Sequence, residues 1–213
     1  MKKFLSMTLL MMLALTLTAS AANNPMRLAR LPIIILSAAP NEDTMMGLEL
    51  KISRAIHLPL NGTLQAIEYI PTDEATDALQ KVWDKIYKST KKVRLQEAME
   101  PLAKKLNADL VVCPVLRRFS QHMMISTGLS ESSENHLISN VEVELIIYDR
   151  NTKELTSKKA SRYYNGEDST WGTARFLSVE CMTKVIEQTE LRDKVLSYTP
   201  IGQRKPVERK VIG

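Results

Sequence analysis

Two cysteines, Cys113 and Cys181, stand among 213 residues, too few for a disulfide-dense scaffold. They form no Cys-x-x-Cys pair and no Cys/His spacing suited to a zinc or redox site. Glycine is scarce, at seven residues, and none belongs to a Gly-x-x-x-x-Gly-Lys phosphate loop. There is no His-Glu-x-x-His pair, no calcium loop and no Gly-x-Ser-x-Gly elbow. No cofactor and no metal are therefore expected. A basic surplus is missing from the body as well. The whole chain carries a net charge of +5, but the first 21 residues hold two of those charges and the tail after residue 200 a net three. The segment between is neutral, which argues against nucleic acid as a partner, since that demands a basic stripe on the folded surface.

An export signal is present. Lys2 and Lys3 give a positive start. Residues 4–17 are apolar apart from Ser6, Thr8 and Thr16, and Ala19-Ser20-Ala21 supplies the small-x-small pattern of a signal-peptidase site. The run is shorter than the ~20 apolar residues of a spanning helix. No cysteine stands at the new amino terminus to carry a lipid. The expectation is a cleaved leader over residues 1–21 and a mature chain without a membrane anchor, periplasmic in a Gram-negative cell and otherwise secreted. Residues 22–29 are expected to be a linker, residues 30–198 a single domain large enough to bury a core, and residues 199–213 a basic flexible tail.

Periodicity outlines the domain. Residues 30–36 form a short isoleucine-rich run, the pattern of a buried strand. Asn41 or Asp43 is placed to cap a helix with Met45, Leu48, Ile52 and Ala55 on one face. Asn61-Gly62 marks a turn, and residues 64–70 a second strand. Thr72 is placed to cap the next helix, striped by Ala75, Leu79, Val82, Trp83 and Ile86. A third helix is expected around Leu95, Ala98, Met99, Leu102 and Leu106. Pro101 either kinks it or stands in the first turn of a shorter one. Asn107 suits a left-handed helix end.

Residues 109–116 are the clearest strand, and Pro114 within them implies an edge or a bulge. Residues 126–135 have the polarity of a loop. Val141, Val143, Leu145 and Ile147 alternate with Glu142 and Glu144, a half-buried strand with both glutamates on its solvent face. Residues 154–164 return as its antiparallel partner, and residues 169–196 form one long helix. The expected fold class is α/β: a two- or three-layer sandwich around a mixed sheet of about five strands. A right-handed parallel crossover comes first, an antiparallel hairpin late, and a long C-terminal helix last. Both cysteines fall in apolar segments. A disulfide and two inert core thiols both fit.

Three passages carry a resemblance: residues 31–42, residues 102–112 (Leu-Ala-Lys-Lys-Leu-Asn-Ala-Asp-Leu-Val-Val) and residues 143–155 (Val-Glu-Leu-Ile-Ile-Tyr-Asp-Arg-Asn-Thr-Lys-Glu-Leu). They resemble small bacterial envelope α/β domains related to the periplasmic domain of the curli secretion channel and the amino-terminal domain of TolB. Asn107 and Pro114 stand where such domains often have glycine. The curli channel's lipid-anchoring cysteine and its barrel segment are missing, which speaks against a secretion pore. The resemblance implies a soluble accessory domain that binds another envelope protein, and it brings no catalytic residues.

The candidate contact surface is Arg117, Arg118, Phe119, Met123 and Met124, since arginine, methionine and aromatics are enriched at interfaces. Two other readings centre on the polar loop of residues 119–138. A hydrolase would pair His122 or His136 with Ser126, Ser130 or Ser132, and predicts a pocket holding them. A ligand or cell-wall binding module predicts an apolar cleft with convergent polar groups. His57 is expected as a helix-end or surface residue.

Overall fold

The computed structural model describes residues 25–59, 61–91, 94–126 and 134–198. The expected leader, the expected tail and residues 127–133 of the polar loop lie outside them, while residues 119–126 and 134–138 of that loop are strand and not loop. In chain order come β1 (Met26–Arg30), β2 (Ile34–Ile35), α1 (Glu42–Ile56), α2 (Asn61–Leu64), β3 (Ile67–Ile70), α3 (Thr72–Thr90), α4 (Leu95–Leu106), β4 (Leu110–Ser126), β5 (Glu134–Asp149) and β6 (Glu154–Glu167). A 3-10 turn (Thr170–Gly172), α5 (Ala174–Gln188) and α6 (Leu191–Ser197) follow.

The six strands form one mixed sheet in the order β3-β1-β4-β5-β6, with β2 pairing β4 beyond the end of β1. β1 is parallel to β3 and β4, and β2 is parallel to β4. β5 is antiparallel to β4 and β6. Alternation along β4 sorts the layers. Leu110, Val112 and Leu116 enter a core shared with α1, α5 and α6, while Val111, Cys113 and Val115 enter one shared with α3 and α4. The crossover from β1 to β3 runs one way along the sheet, and that from β3 to β4 runs back past β1. Crossovers of one hand and opposite direction place their helices on opposite faces. The result is a three-layer α/β sandwich.

Four local expectations are corrected. First, the sheet starts at Met26, inside the expected linker. Met26, Leu28 and Ala29 are buried. Arg27 and Arg30 disguise the strand, yet each is tied down: Arg27 to Glu68 at 3.2 Å and Arg30 to Glu49 at 2.5 Å. The expected strand over residues 30–36 is split, because the chain detours between β1 and β2 around Pro32. Second, Pro114 lies at neither an edge nor a bulge. Val112 and Leu116 turn their carbonyls toward β1 and β2, accepting from Leu31 and Leu36 at 2.9 Å each. Pro114 shares that orientation, so its missing N–H faces the gap opened by the detour. The bulge falls instead at Arg117.

Third, residues 61–64 are a helical turn. The Asn61 carboxamide accepts from the Ile67 amide at 2.8 Å and donates to its carbonyl at 2.7 Å, which delays the strand to Ile67. The residue ahead of α3 is Pro71, not Thr72, which lies inside the helix. Fourth, the long C-terminal helix is broken at Glu190, which is left-handed at φ 52°. The buried Thr189 hydroxyl donates to the Val185 carbonyl at 2.8 Å and closes the preceding helix there.

Asn41 caps α1 and Asn107 takes the left-handed end of α4 (φ 50°), both as expected. Pro101 sits inside a twelve-residue α4. Cys113 and Cys181 are free, on opposite faces of the sheet. Burial pushes the Cys113 thiol up to about 12 and the Cys181 thiol up to about 11. The described chain begins and ends at one end of the sheet. Met26 opens β1, and the Tyr198 hydroxyl donates to Asp149 at the end of β5 (3.3 Å) while accepting from Asn151 (3.0 Å).

Candidate functional site

The long hairpin of β4 and β5 pairs continuously from Leu110 with Asp149 out to Ser126 with Glu134, apart from the bulge. β1 and β2 stop pairing at Leu116. From Arg118 onward β4 has a strand on one side only, among the described residues. This outer part forms an arm with β5 and β6. Met123 and Met124 stand on it, 51% and 54% exposed, on opposite faces by strand alternation. Arg118 is exposed near its root. Phe119, by contrast, is half-buried against the core beneath α5, so it does not belong to the exposed surface.

The bulge sets two consecutive arginines against two glutamates. Glu142 lies 3.3 Å from Arg117 Nε and 3.9 Å from Arg118 Nη1. Glu144, expected on a solvent face, is wholly buried. The reason is the third layer: α3 and α4 cover the side of β5 that the glutamates occupy. Its Oε2 accepts from Arg117 Nη1 at 2.6 Å, and its Oε1 from Gln96 at 3.0 Å and Ser157 at 2.6 Å. A buried carboxylate is tolerated only with such a full set of donors. Arg117 is therefore a residue held by the domain. The sequence showed the Arg-Arg and Glu-x-Glu pairs but not the register that joins them.

Beside this pair opens a groove of about 1080 Å³. Pro32, Ile34, Leu36, Leu79, Trp83 and Leu95 form its apolar wall. Arg117 and Glu144 also line it, as do the charged Arg94, Glu97 and Lys159. It sits beyond the carboxyl end of β1, beside β2 and the middle of β4 at Arg117. The groove sets an apolar wall beside charged groups, away from residues 119–138 to which the sequence pointed.

The remaining candidates are dispersed. His122 is exposed on β4, and His136 Nε2 contacts Asn165 Oδ1. Neither lines the groove. Ser130 and Ser132, and the side chain of Ser126, lie outside what is described. His57 is exposed at the C-terminal cap of α1. Among the described residues, no three His, Cys, Asp or Glu side chains gather as metal ligands, and no helix is long and apolar enough to cross a membrane.

No protein-family model matches the chain, and no curated protein does. Among solved structures it is similar to lipoprotein GNA1162 from Neisseria meningitidis, at 16% identity over 78% of this chain and 99% of that one, with a TM-score of 0.36. It is similar to the C-terminal domain of LpoB from Salmonella enterica, at 10% identity over 70% and 90%, with a TM-score of 0.32. A minor lipoprotein from Acinetobacter baumannii gives 10%, 82%, 93% and 0.27. These neighbours are bacterial envelope and lipoprotein domains. Likeness of this degree carries no activity, ligand or assembly to this chain.

Proposed function

We propose that this chain is an exported, non-enzymatic accessory domain of the bacterial envelope, in the manner of the curli-channel and TolB-like domains its sequence resembles. It binds another envelope protein through the arm, with Arg118, Met123 and Met124 in contact and Arg117 fixing the arm's root. One observation carries the reading: adjacent, half-exposed methionines project on both faces of a strand whose outer edge is unpaired among the described residues. Methionine adapts to irregular apolar surfaces, and a free edge accepts an added strand. The neutral body agrees with a protein partner and not a polyanion.

A photo-crosslinking residue at the exposed position 122 of the arm, in the full chain expressed in its own cell, tests this. The expected result is one dominant crosslinked envelope protein, lost when Met123 and Met124 are both replaced by Lys while the melting temperature holds. Crosslinks spread evenly over many proteins, or unchanged by the double substitution, would overturn the reading.

A further inference from the structure

We infer that the groove beside Glu144 binds an anionic amphiphile, a single alkyl chain ending in a carboxylate. The inference goes beyond the partner reading and stands or falls apart from it. Its volume, about 1080 Å³, lies just above the ~300–1,000 Å³ of small-molecule sites. The wall is aliphatic and aromatic, and Leu36 is 54% exposed at its mouth with no apolar cover among the described residues. An alkyl chain laid there removes that surface from water.

Charge selects the head group. Five charged side chains line the groove: Arg94, Arg117 and Lys159 against Glu97 and Glu144. Arg117 and Glu144 satisfy each other at 2.6 Å. Arg94 and Lys159 have no ion-pair partner among the described residues, and Glu97 offsets only one of them. One positive charge is left over, which a monoanion matches. The strand bordering the groove, β2, is two residues long. It offers an extended peptide too few main-chain bonds to compete with an alkyl chain. The two described termini lie at the other end of the sheet, so neither adjoining segment starts near the groove.

The test uses Trp83, which lines the groove. Trp171→Phe leaves it as the sole tryptophan of the chain. Dodecanoate, titrated below its micelle concentration, is expected to shift Trp83 emission saturably, and acetate to leave it unchanged. Arg94→Gln with Lys159→Gln should weaken dodecanoate about tenfold, and added salt should weaken it in the parent. Leu36→Asp, at an exposed position, should weaken it by a similar factor. Circular dichroism and melting confirm that the variants fold. No saturable shift, equal binding of dodecyltrimethylammonium, or insensitivity to the double substitution would overturn the proposal. An apolar acidic peptide that binds more tightly than dodecanoate would overturn it in favour of a peptide groove.

Discussion

Arg117→Met removes a charge from the root of the arm while keeping most of the apolar stem. Glu144 then stays fully buried with only Gln96 and Ser157 as donors. Breaking a buried pair from one side costs ~3–5 kcal/mol. Two surviving donors place this case near the lower bound, at about 3 kcal/mol. Glu144→Leu strands a less costly partner, because the Arg117 side chain is 35% exposed and keeps Glu142. About 1–2 kcal/mol is expected there. The double variant removes both charges from the interior and should lie within ~1 kcal/mol of the parent, since apolar replacement of a buried pair is often neutral. The three variants close a double-mutant cycle with a coupling of roughly 3–6 kcal/mol. Urea denaturation with unchanged m-values measures it. If the double variant loses the sum of the single losses, or Arg117→Met loses less than ~1 kcal/mol, the buried-pair account is wrong.

A Cβ at Gly172 would fall on the ring carbons of Tyr164, whose hydroxyl is anchored to the Glu167 carbonyl at 2.8 Å. Gly172→Ala should destabilise by ~1–3 kcal/mol, and Tyr164→Leu in the same chain should recover part of that loss; thermal melts of the single and paired variants decide it. Burial raises both cysteine thiols, so the native protein at mildly alkaline pH should react slowly with Ellman's reagent, faster as pH climbs toward the raised values, and should show two free thiols in denaturant. Fewer than two in denaturant would contradict their placement on opposite faces.

The layer structure was legible where one face of an element decides its pattern. The stripes of α1, α3 and α4 and the alternation of β5 came straight from residue types. What misled was reading each strand in isolation. Alternation of Val143, Leu145 and Ile147 with glutamates looks half-exposed, yet Ile146 and Tyr148 occupy the glutamate face and are buried. That apolar continuation marks a strand covered on both sides, and it was the available sign that Glu144 could not face water. Arg27 and Arg30 concealed β1 for a related reason: their charges are met by Glu68 and Glu49, distant in sequence. The groove was illegible because its walls come from the β1–β2 detour and two helices, brought together only by the crossover. Among the candidate contact residues, composition drew attention to 117–124 but could not separate exposed Met123 and Met124 from half-buried Phe119 and from Arg117, which Glu142 and Glu144 hold.

Both described termini lie at one end of the sheet, beside Ile67 and Asp149, while the groove and the arm lie toward the other. A tether joined directly at residue 25 or residue 198, whether a surface linkage or a fused protein, therefore holds the domain by its back. It turns the groove and the methionine arm toward the surroundings.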